Sequence, residues 1–223
     1  MRHLYLFRHG QTPVNETRHL YVGGRNNETP LTELGVTQAW KLGGWILRQR
    51  VKPDFIEVSP AVRARDTARY ALGGAGIWEP TPHVDDRWQE LSVGRTNEGK
   101  PRSEVYTEEV LAEIALKGKD FKFRYPDAES QHEVTQRSIE RIDQLHHEYP
   151  GDKTGFVFGH GLDFRLVVGK FMHMNQDEVR ATELDNASAT ILAFDTNGNF
   201  DKLLGFNINT QAEPYASASA TNV

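Results

Sequence analysis

The strongest constraint on this chain is the apolar run Leu4-Tyr5-Leu6-Phe7 together with the Arg8-His9-Gly10 that ends it. Four apolar residues in succession, bounded by polar ones, read as a short buried strand. In an open α/β sheet, ligands bind beyond the carboxyl ends of the strands. This strand delivers an always-charged planar fork and a titratable nucleophile to that place, the pair that phosphate chemistry requires.

Two later segments repeat the arrangement. Asp54-Phe55-Ile56-Glu57-Val58 reads as a strand ended by Ser59-Pro60, with a helix from Ala61 to Leu72 carrying Arg63 in its first turn. Gly155-Phe156-Val157-Phe158-Gly159 reads as another buried strand, ended by His160-Gly161 and followed by a helix through Leu166, Val167 and Val168. If these strands are neighbours, two histidines and two arginines meet at one spot, a donor set suited to a tetrahedral dianion. The helix after His160 then points its first N–H groups the same way.

The rest of the chain supplies the connections. Gln11 to Asn27 reads as a loop over the strand end, and Thr32 as the N-cap of a helix with Ala39, Leu42, Gly43 and Ile46 on one face. Gly73, Gly74 and Gly76 read as a helix stop, because no Gly-Lys-Ser/Thr follows to make a nucleotide loop. His83 to Leu91 reads as a short strand and loop with Glu90 near its end. The polar, helical stretch Pro101 to Lys119 reads as a lid or cap. Ser130 and Glu133 form a capping box ahead of a helix that aligns Val134, Ser138, Ile142 and Leu145. Ser188–Phe194 and Phe200–Phe206 read as two strands joined at Asn197-Gly198. Strand and helix alternate over most of the length, which argues for an α/β sandwich with a mostly parallel sheet. A single domain is expected over 1–210, with a small helical cap around 101–125 and a disordered tail at 211–223.

Bulk properties narrow the function. A net charge of −5 argues against nucleic acid or an anionic membrane as the main partner. The absence of cysteine excludes disulfides, thiolate catalysis and cysteine-ligated metals. No secretory leader precedes the first strand and no apolar run is long enough to span a bilayer, so a cytoplasmic location is expected. His3, His19, His83, His132, His146, His147 and His173 have no partner pattern and read as surface or structural residues, and Arg65 and Arg69 as solvated charges.

Arg8-His9-Gly10, with Asn15 six residues beyond the histidine, resembles the signature of the histidine phosphatase superfamily, the phosphoglycerate mutase-like enzymes. The resemblance continues through Pro30-Leu31-Thr32-Glu33-Leu34-Gly35 and the block from Ser59 to Ala68, where Arg63 matches the family's second phosphate-binding arginine. It returns at Glu90 and Gly94, Ala128-Glu129-Ser130, Phe158-Gly159-His160-Gly161 and Asn186-Ala187-Ser188. The blocks keep the family's order and cover nearly all the chain before the tail.

This resemblance implies a three-layer α/β/α sandwich of the phosphoglycerate mutase type and a metal-independent phosphomonoester hydrolase. His9 is implied as nucleophile through a phosphohistidine, its other ring nitrogen bonded to a backbone carbonyl. Arg8, Arg63, His160 and Asn15 are implied to bind the phosphoryl oxygens, Gly161 to let the backbone approach them, and Glu90 to act as general acid and then base. No metal or cofactor is implied. The expected partner is a small phosphorylated metabolite, and the expected assembly a monomer or homodimer. Mutase-type transfer and non-catalytic binding of a phospho-ligand are the alternatives; the short stretch from Glu90 to Glu129 favours the hydrolase. Differences from the family pattern at Glu28, Ala128, Gly161 and Arg95-Thr96-Asn97, and a longer loop from Gly23, bear on the substrate. Trp88, Tyr21, Tyr106, Phe121, Phe123 and Tyr125 are candidate walls for a substrate larger than a three-carbon acid, and core or lid packing explains them equally well.

Overall fold

A computed structural model describes residues 1–117 and 121–212. Residues 118–120 of the expected cap and 213–223 of the expected tail lie outside the described residues. The sheet is built from β1 (His3–Arg8), β2 (Phe55–Val58), β3 (His83–Val84), β4 (Thr154–Gly159), β5 (Ala189–Phe194) and β6 (Phe200–Ile208). Their order is β3-β2-β4-β1-β5-β6. The first four run parallel, while β5 returns antiparallel beside β1 and β6 antiparallel beside β5.

The helices are α1 (Pro13–Glu16), α2 (Glu33–Gln49), α3 (Val62–Ala75), α4 (Arg102–Val105), α5 (Glu108–Lys117), α6 (Gln131–Glu148), α7 (Gly161–Phe171) and α8 (Gln176–Ala181). The two-residue period of the strands assigns each side chain to one of two cores. Phe7, Phe156 and Phe158 pack with Leu42 and Ile46 of α2 and Ala64, Ala68 and Ala71 of α3. Leu4, Leu6 and Val157 pack on the opposite face with Ile142 and Leu145 of α6 and Phe164 and Val167 of α7. Two helical layers therefore enclose the sheet, as the alternation implied.

Local signals set the helix starts. Thr32 Oγ1 accepts from Gly35 N at 3.0 Å, and Ser130 and Glu133 cap each other reciprocally at 3.2 and 2.7 Å. The glycines after Leu72 correct the sequence reading. α3 runs through Gly73 and Gly74 and stops only at Gly76, where φ is 67°. Gly74 meets Gly43 of α2, where an added Cβ would lie 2.4 Å from Ala71 O and 2.9 Å from Gly74 Cα. These glycines let α2 and α3 touch backbone to backbone. The 11–27 stretch also differs from a plain loop: it contains α1, and Val22 N donates to Lys100 O at 2.9 Å.

Trp88 is fully buried in the second core and donates Nε1–H to Glu57 Oε2 at 3.0 Å, so it is no pocket wall. Glu57 and Asp85 are both paired with Arg141, at 2.8 and 3.1 Å. Glu57, His83 and Asp85 could by spacing hold a cation, but the Arg141 guanidinium already supplies the compensating charge. No helix among the described residues is long and apolar enough to cross a membrane.

Candidate active site

Strand register brings the sequence candidates together. β1 and β4 are adjacent and parallel with Arg8 opposite Gly159, and His9 N donates to Gly159 O at 3.0 Å. His9 and His160 therefore leave neighbouring strand ends, with ring centroids 5.3 Å apart. β2 flanks β4 on the other side with Val58 opposite Phe158. The next residue, Ser59, consequently sits with Oγ 2.8 Å from His160 Nε2.

His9 is 4% exposed, and its Nδ1 lies 2.7 Å from Gly10 O. A carbonyl can only accept, so Nδ1 carries the proton of the neutral ring and Nε2 is the available lone pair. Burial, then Arg63 and Arg8, holds the His9 pKa well below its ordinary value. The tight turn after His9 is secured from α2 and α3. Gly10 N donates to Thr67 Oγ1 at 3.0 Å, and Thr67 Oγ1 donates to Arg63 O at 2.7 Å. An added Cβ on Gly10 would fall 2.4 Å from Gly35 O, and one on Gly35 would fall 2.1 Å from Gln11 O. Close approach of the backbones accounts for glycine at both positions.

The cationic groups are aimed by backbone oxygens. Arg8 donates to Leu184 O, while its Nε is buried without a partner. Burial, with Arg18 and Arg165 adding to it against Glu90, lowers the Arg8 pKa to about 10. Arg63 is 5% exposed and donates to Asn26 O and Gly24 O. Its pKa is also lowered by burial, opposed by Glu90 and Glu98. Asn15 Oδ1 accepts from Thr12 N, Thr12 Oγ1 and Asn186 Nδ2, each at 3.0 Å, which leaves its Nδ2 donor for a ligand. His160 is fully buried, with its pKa held well below the ordinary value by burial, Arg63 and His9.

Arg8, His9, Asn15, Arg63 and Glu90 line one cleft of about 530 Å³. His160 lies behind His9, and Gly161 lines an adjoining chamber that shares Arg8 and Glu90. Glu90 accepts from Leu91 N at 2.8 Å and from Leu162 N, at the start of α7, at 3.4 Å. Of the candidate wall aromatics, Tyr21 reaches the cleft and Tyr106 the chamber. Phe121, Phe123 and Tyr125 line a further hollow against Leu111 and Ile114 of α5, which shares Arg102, Tyr106, Arg165 and Arg180 with the chamber.

Residues to which the sequence reading gave no supporting role hold this site in place; Glu98, with Glu16 and Glu28, is by sequence an alternative to Glu90 as the proton-transferring carboxylate. Arg137 of α6 donates to Arg87 O and Gln89 O and pairs with Glu129 at 3.3 Å. Arg25 pairs with Glu129 and donates to Glu90 O at 3.3 Å. Glu98 accepts from Arg25 N and Asn26 N, fixing the loop whose carbonyls hold Arg63. Glu129 belongs to a block matched by the family resemblance; Arg25 and Arg137 carry no local signal.

Comparison with known proteins agrees with this geometry. The chain matches the histidine phosphatase superfamily (branch 1) over residues 4–207. It is 25% identical over 241 residues to a 2,3-bisphosphoglycerate-dependent phosphoglycerate mutase of Bifidobacterium longum, covering 97% of this chain and 96% of that one. Among solved structures, Bacillus stearothermophilus YhfR superposes with a TM-score of 0.77 at 26% identity, over 93% of this chain and 97% of that one. A mycobacterial glucosyl-3-phosphoglycerate phosphatase complexed with VO3 superposes with a TM-score of 0.76 at 25% identity, over 94% and 100% of the two chains.

Proposed function

The chain belongs to the histidine phosphatase superfamily, and from that premise we propose that it is a phosphomonoester hydrolase in which His9 carries the phosphoryl group from substrate to water. The observation that carries this reading is the state of His9: a neutral ring with Nδ1 engaged by Gly10 O, and its free nitrogen in a cleft shared with Arg8, Arg63, Asn15 and Glu90. In the first step Nε2 attacks phosphorus, the P–N bond forms and the P–O ester bond breaks. The Glu90 carboxyl protonates the departing alkoxide. In the second step Glu90 takes a proton from water, whose oxygen attacks phosphorus as the P–N bond breaks. Arg8, Arg63, Asn15 and His160 hold the non-bridging oxygens while charge spreads over them. None of these steps calls on a metal or cofactor. The substrate is a small phosphorylated metabolite.

The test is release of inorganic phosphate from an aryl phosphomonoester in the presence of EDTA, for wild type and His9→Ala. The reading requires turnover that survives chelation and is lost in the variant; activity retained by His9→Ala overturns it. A second reading, phosphotransfer of the mutase type, is favoured by the similarity to the Bifidobacterium longum mutase. Isotopic label recovered in a phosphoglycerate acceptor rather than in free phosphate would establish it.

A further inference from the structure

Asp163 is a buried acid that the reaction described above does not use. It stands in the first turn of α7 with no exposed surface. Its Oδ1 accepts from Ser138 Oγ at 2.6 Å, and its Oδ2 is buried without a partner among the described residues. An unsatisfied buried oxygen is costly, and an apolar side chain would fill the same space without it.

The surroundings of Asp163 supply a reason for the carboxyl. The residue before it, Leu162, presents its N–H to Glu90 Oε2 at 3.4 Å. Ser138 Oγ, which holds Asp163, also lies 3.3 Å from Arg87 O, on the loop that carries Glu90. Arg137, next to Ser138 on α6, donates to Arg87 O and Gln89 O. Successive residues of α6 therefore grip the two segments that meet at the Glu90 carboxyl. Arg137 takes the 87–89 backbone, and Ser138 takes the start of α7 through Asp163. Burial, opposed by Arg137 and the Ser138 hydrogen bond and reinforced by Glu90 and Glu129, pushes the Asp163 pKa up to about 7. Arg137 faces it from α6, Glu90 from the loop and Glu129 from ahead of α6. His160, at the head of its own helix, has a pKa held well below the ordinary value by burial. Below its pKa, Asp163 is a neutral acid that makes its tie without setting a second negative charge near Glu90.

We propose that Asp163 is a positioning residue for Glu90: through Ser138 it fixes the first turn of α7 against α6, and so fixes the Leu162 N–H where the Glu90 carboxyl meets it. This rests on the hydrolase reading, in which Glu90 gives its proton to the departing alkoxide.

The experiment measures kcat/KM on an alkyl phosphate and on nitrophenyl phosphate for wild type, Asp163→Ala, Asp163→Asn and Glu90→Gln, at a pH below the Asp163 pKa. An alkoxide leaves only with a proton, whereas nitrophenoxide leaves without one. Asp163→Ala should lower the alkyl rate by about tenfold or more relative to the nitrophenyl rate, as misplacement of a proton-transferring group does. Glu90→Gln should move the ratio in the same direction. Asp163→Asn keeps an oxygen for Ser138 and should restore most of the ratio, whereas a merely structural role moves both probes together. Where Glu90→Gln shifts the ratio, an unchanged ratio in Asp163→Ala overturns the proposal. Where Glu90→Gln does not shift it, the assignment of Glu90 in the hydrolase reading has failed, and a measurement without turnover decides. The carboxyl-carbon resonance of Glu90, identified by its loss in Glu90→Gln, is titrated in wild type and Asp163→Asn. In wild type it should carry an inflection at about pH 7 as Asp163 ionises, and Asp163→Asn should remove it. This arm also serves if Asp163→Ala does not fold. Identical Glu90 titrations in the two proteins overturn the proposal whatever the kinetics.

Discussion

Replacing Ser59 with alanine tests how His160 meets the phosphoryl group. Ser59 Oγ accepts from Ala61 N at 3.3 Å and lies 2.8 Å from His160 Nε2, and we take its own proton to be given to that nitrogen. Nε2 is then the acceptor, and the neutral ring carries its proton on Nδ1. That Nδ1 is buried and has no partner among the described residues. On the proposed mechanism this N–H is the one that meets a phosphoryl oxygen. Removing the hydroxyl leaves a buried nitrogen unsatisfied, a loss of about 1–3 kcal/mol. If that loss falls on the transition state it corresponds to roughly 5- to 150-fold in kcat, within the range for deleting one oxyanion donor.

The assay is kcat on an aryl phosphate for wild type, Ser59→Ala and Ser59→Thr, with thermal melts to confirm folding. Threonine restores the hydroxyl and should recover much of the rate, less whatever its extra methyl disturbs at a position with no exposed surface. Long-range ¹H–¹⁵N spectra report the tautomer directly: in wild type His160 Nε2 should be unprotonated, and in Ser59→Ala that preference should be lost. A wild-type ring protonated at Nε2, or a Ser59→Ala enzyme within about twofold of wild type, a difference too small for a lost hydrogen bond, would refute the reasoning.

Two further predictions concern pH. Asp163 is fully buried, accepts from Ser138 Oγ at 2.6 Å through Oδ1 and has no partner at Oδ2; burial pushes its pKa from 3.8 up to about 7. The folded state therefore holds a proton that the unfolded state has lost between these values. Stability falls as pH rises through that window, by about 4 kcal/mol at most, and levels off above it. Asp163→Asn keeps an oxygen for Ser138 and should gain stability over wild type at about pH 8 relative to about pH 5 in urea denaturation; an equal effect at both values counts against it. For activity, the His9 pKa lies well below 6.5, so its neutral fraction is retained on the acid side of neutrality. The kcat/KM profile should show no loss centred at the ordinary imidazole pKa, and a limb at that position would contradict the burial of His9.

Much of the fold was legible because its signals are local. The run Leu4–Phe7, the Thr32 cap, the Ser130–Glu133 box and the turn at Asn197-Gly198 each lie within a few residues and became β1, the starts of α2 and α6, and the β5–β6 hairpin. The order of the strands has no such signal. No local window says that β4 lies between β1 and β2, yet that order places His9 beside Gly159 and Ser59 beside His160. Glycine was misread for a similar reason. Gly73 and Gly74 look like punctuation until Gly43, about three turns into a different helix, is seen to need the space. Sequence left Trp88 open between pocket wall and core, because the charge that lets Glu57 accept its N–H comes from Arg141, 84 residues beyond Glu57.

The glycine after the second histidine connects the catalytic geometry to its supporting residues. An added Cβ at Gly161 would meet Arg8 Nε at 3.0 Å and Arg8 Cδ at 3.4 Å. An acidic side chain there would press on the stem of the arginine whose other end is held by Leu184 O. On the proposed mechanism a carboxyl group for proton transfer then comes from another element; Glu16, Glu90 and Glu98 line the cleft, and of these Glu90 also lines the adjoining chamber with Arg8 and Gly161. A loop residue needs anchoring to serve that role. Arg137 holds the backbone at Arg87 and Gln89, Arg25 holds the carbonyl of Glu90 itself, and Glu129 joins the two arginines. The carboxylate then reaches Leu162 N in the first turn of the helix that begins at Gly161. On the proposed mechanism the bare position makes room for Arg8, and the anchored loop supplies the carboxyl that the histidine segment lacks.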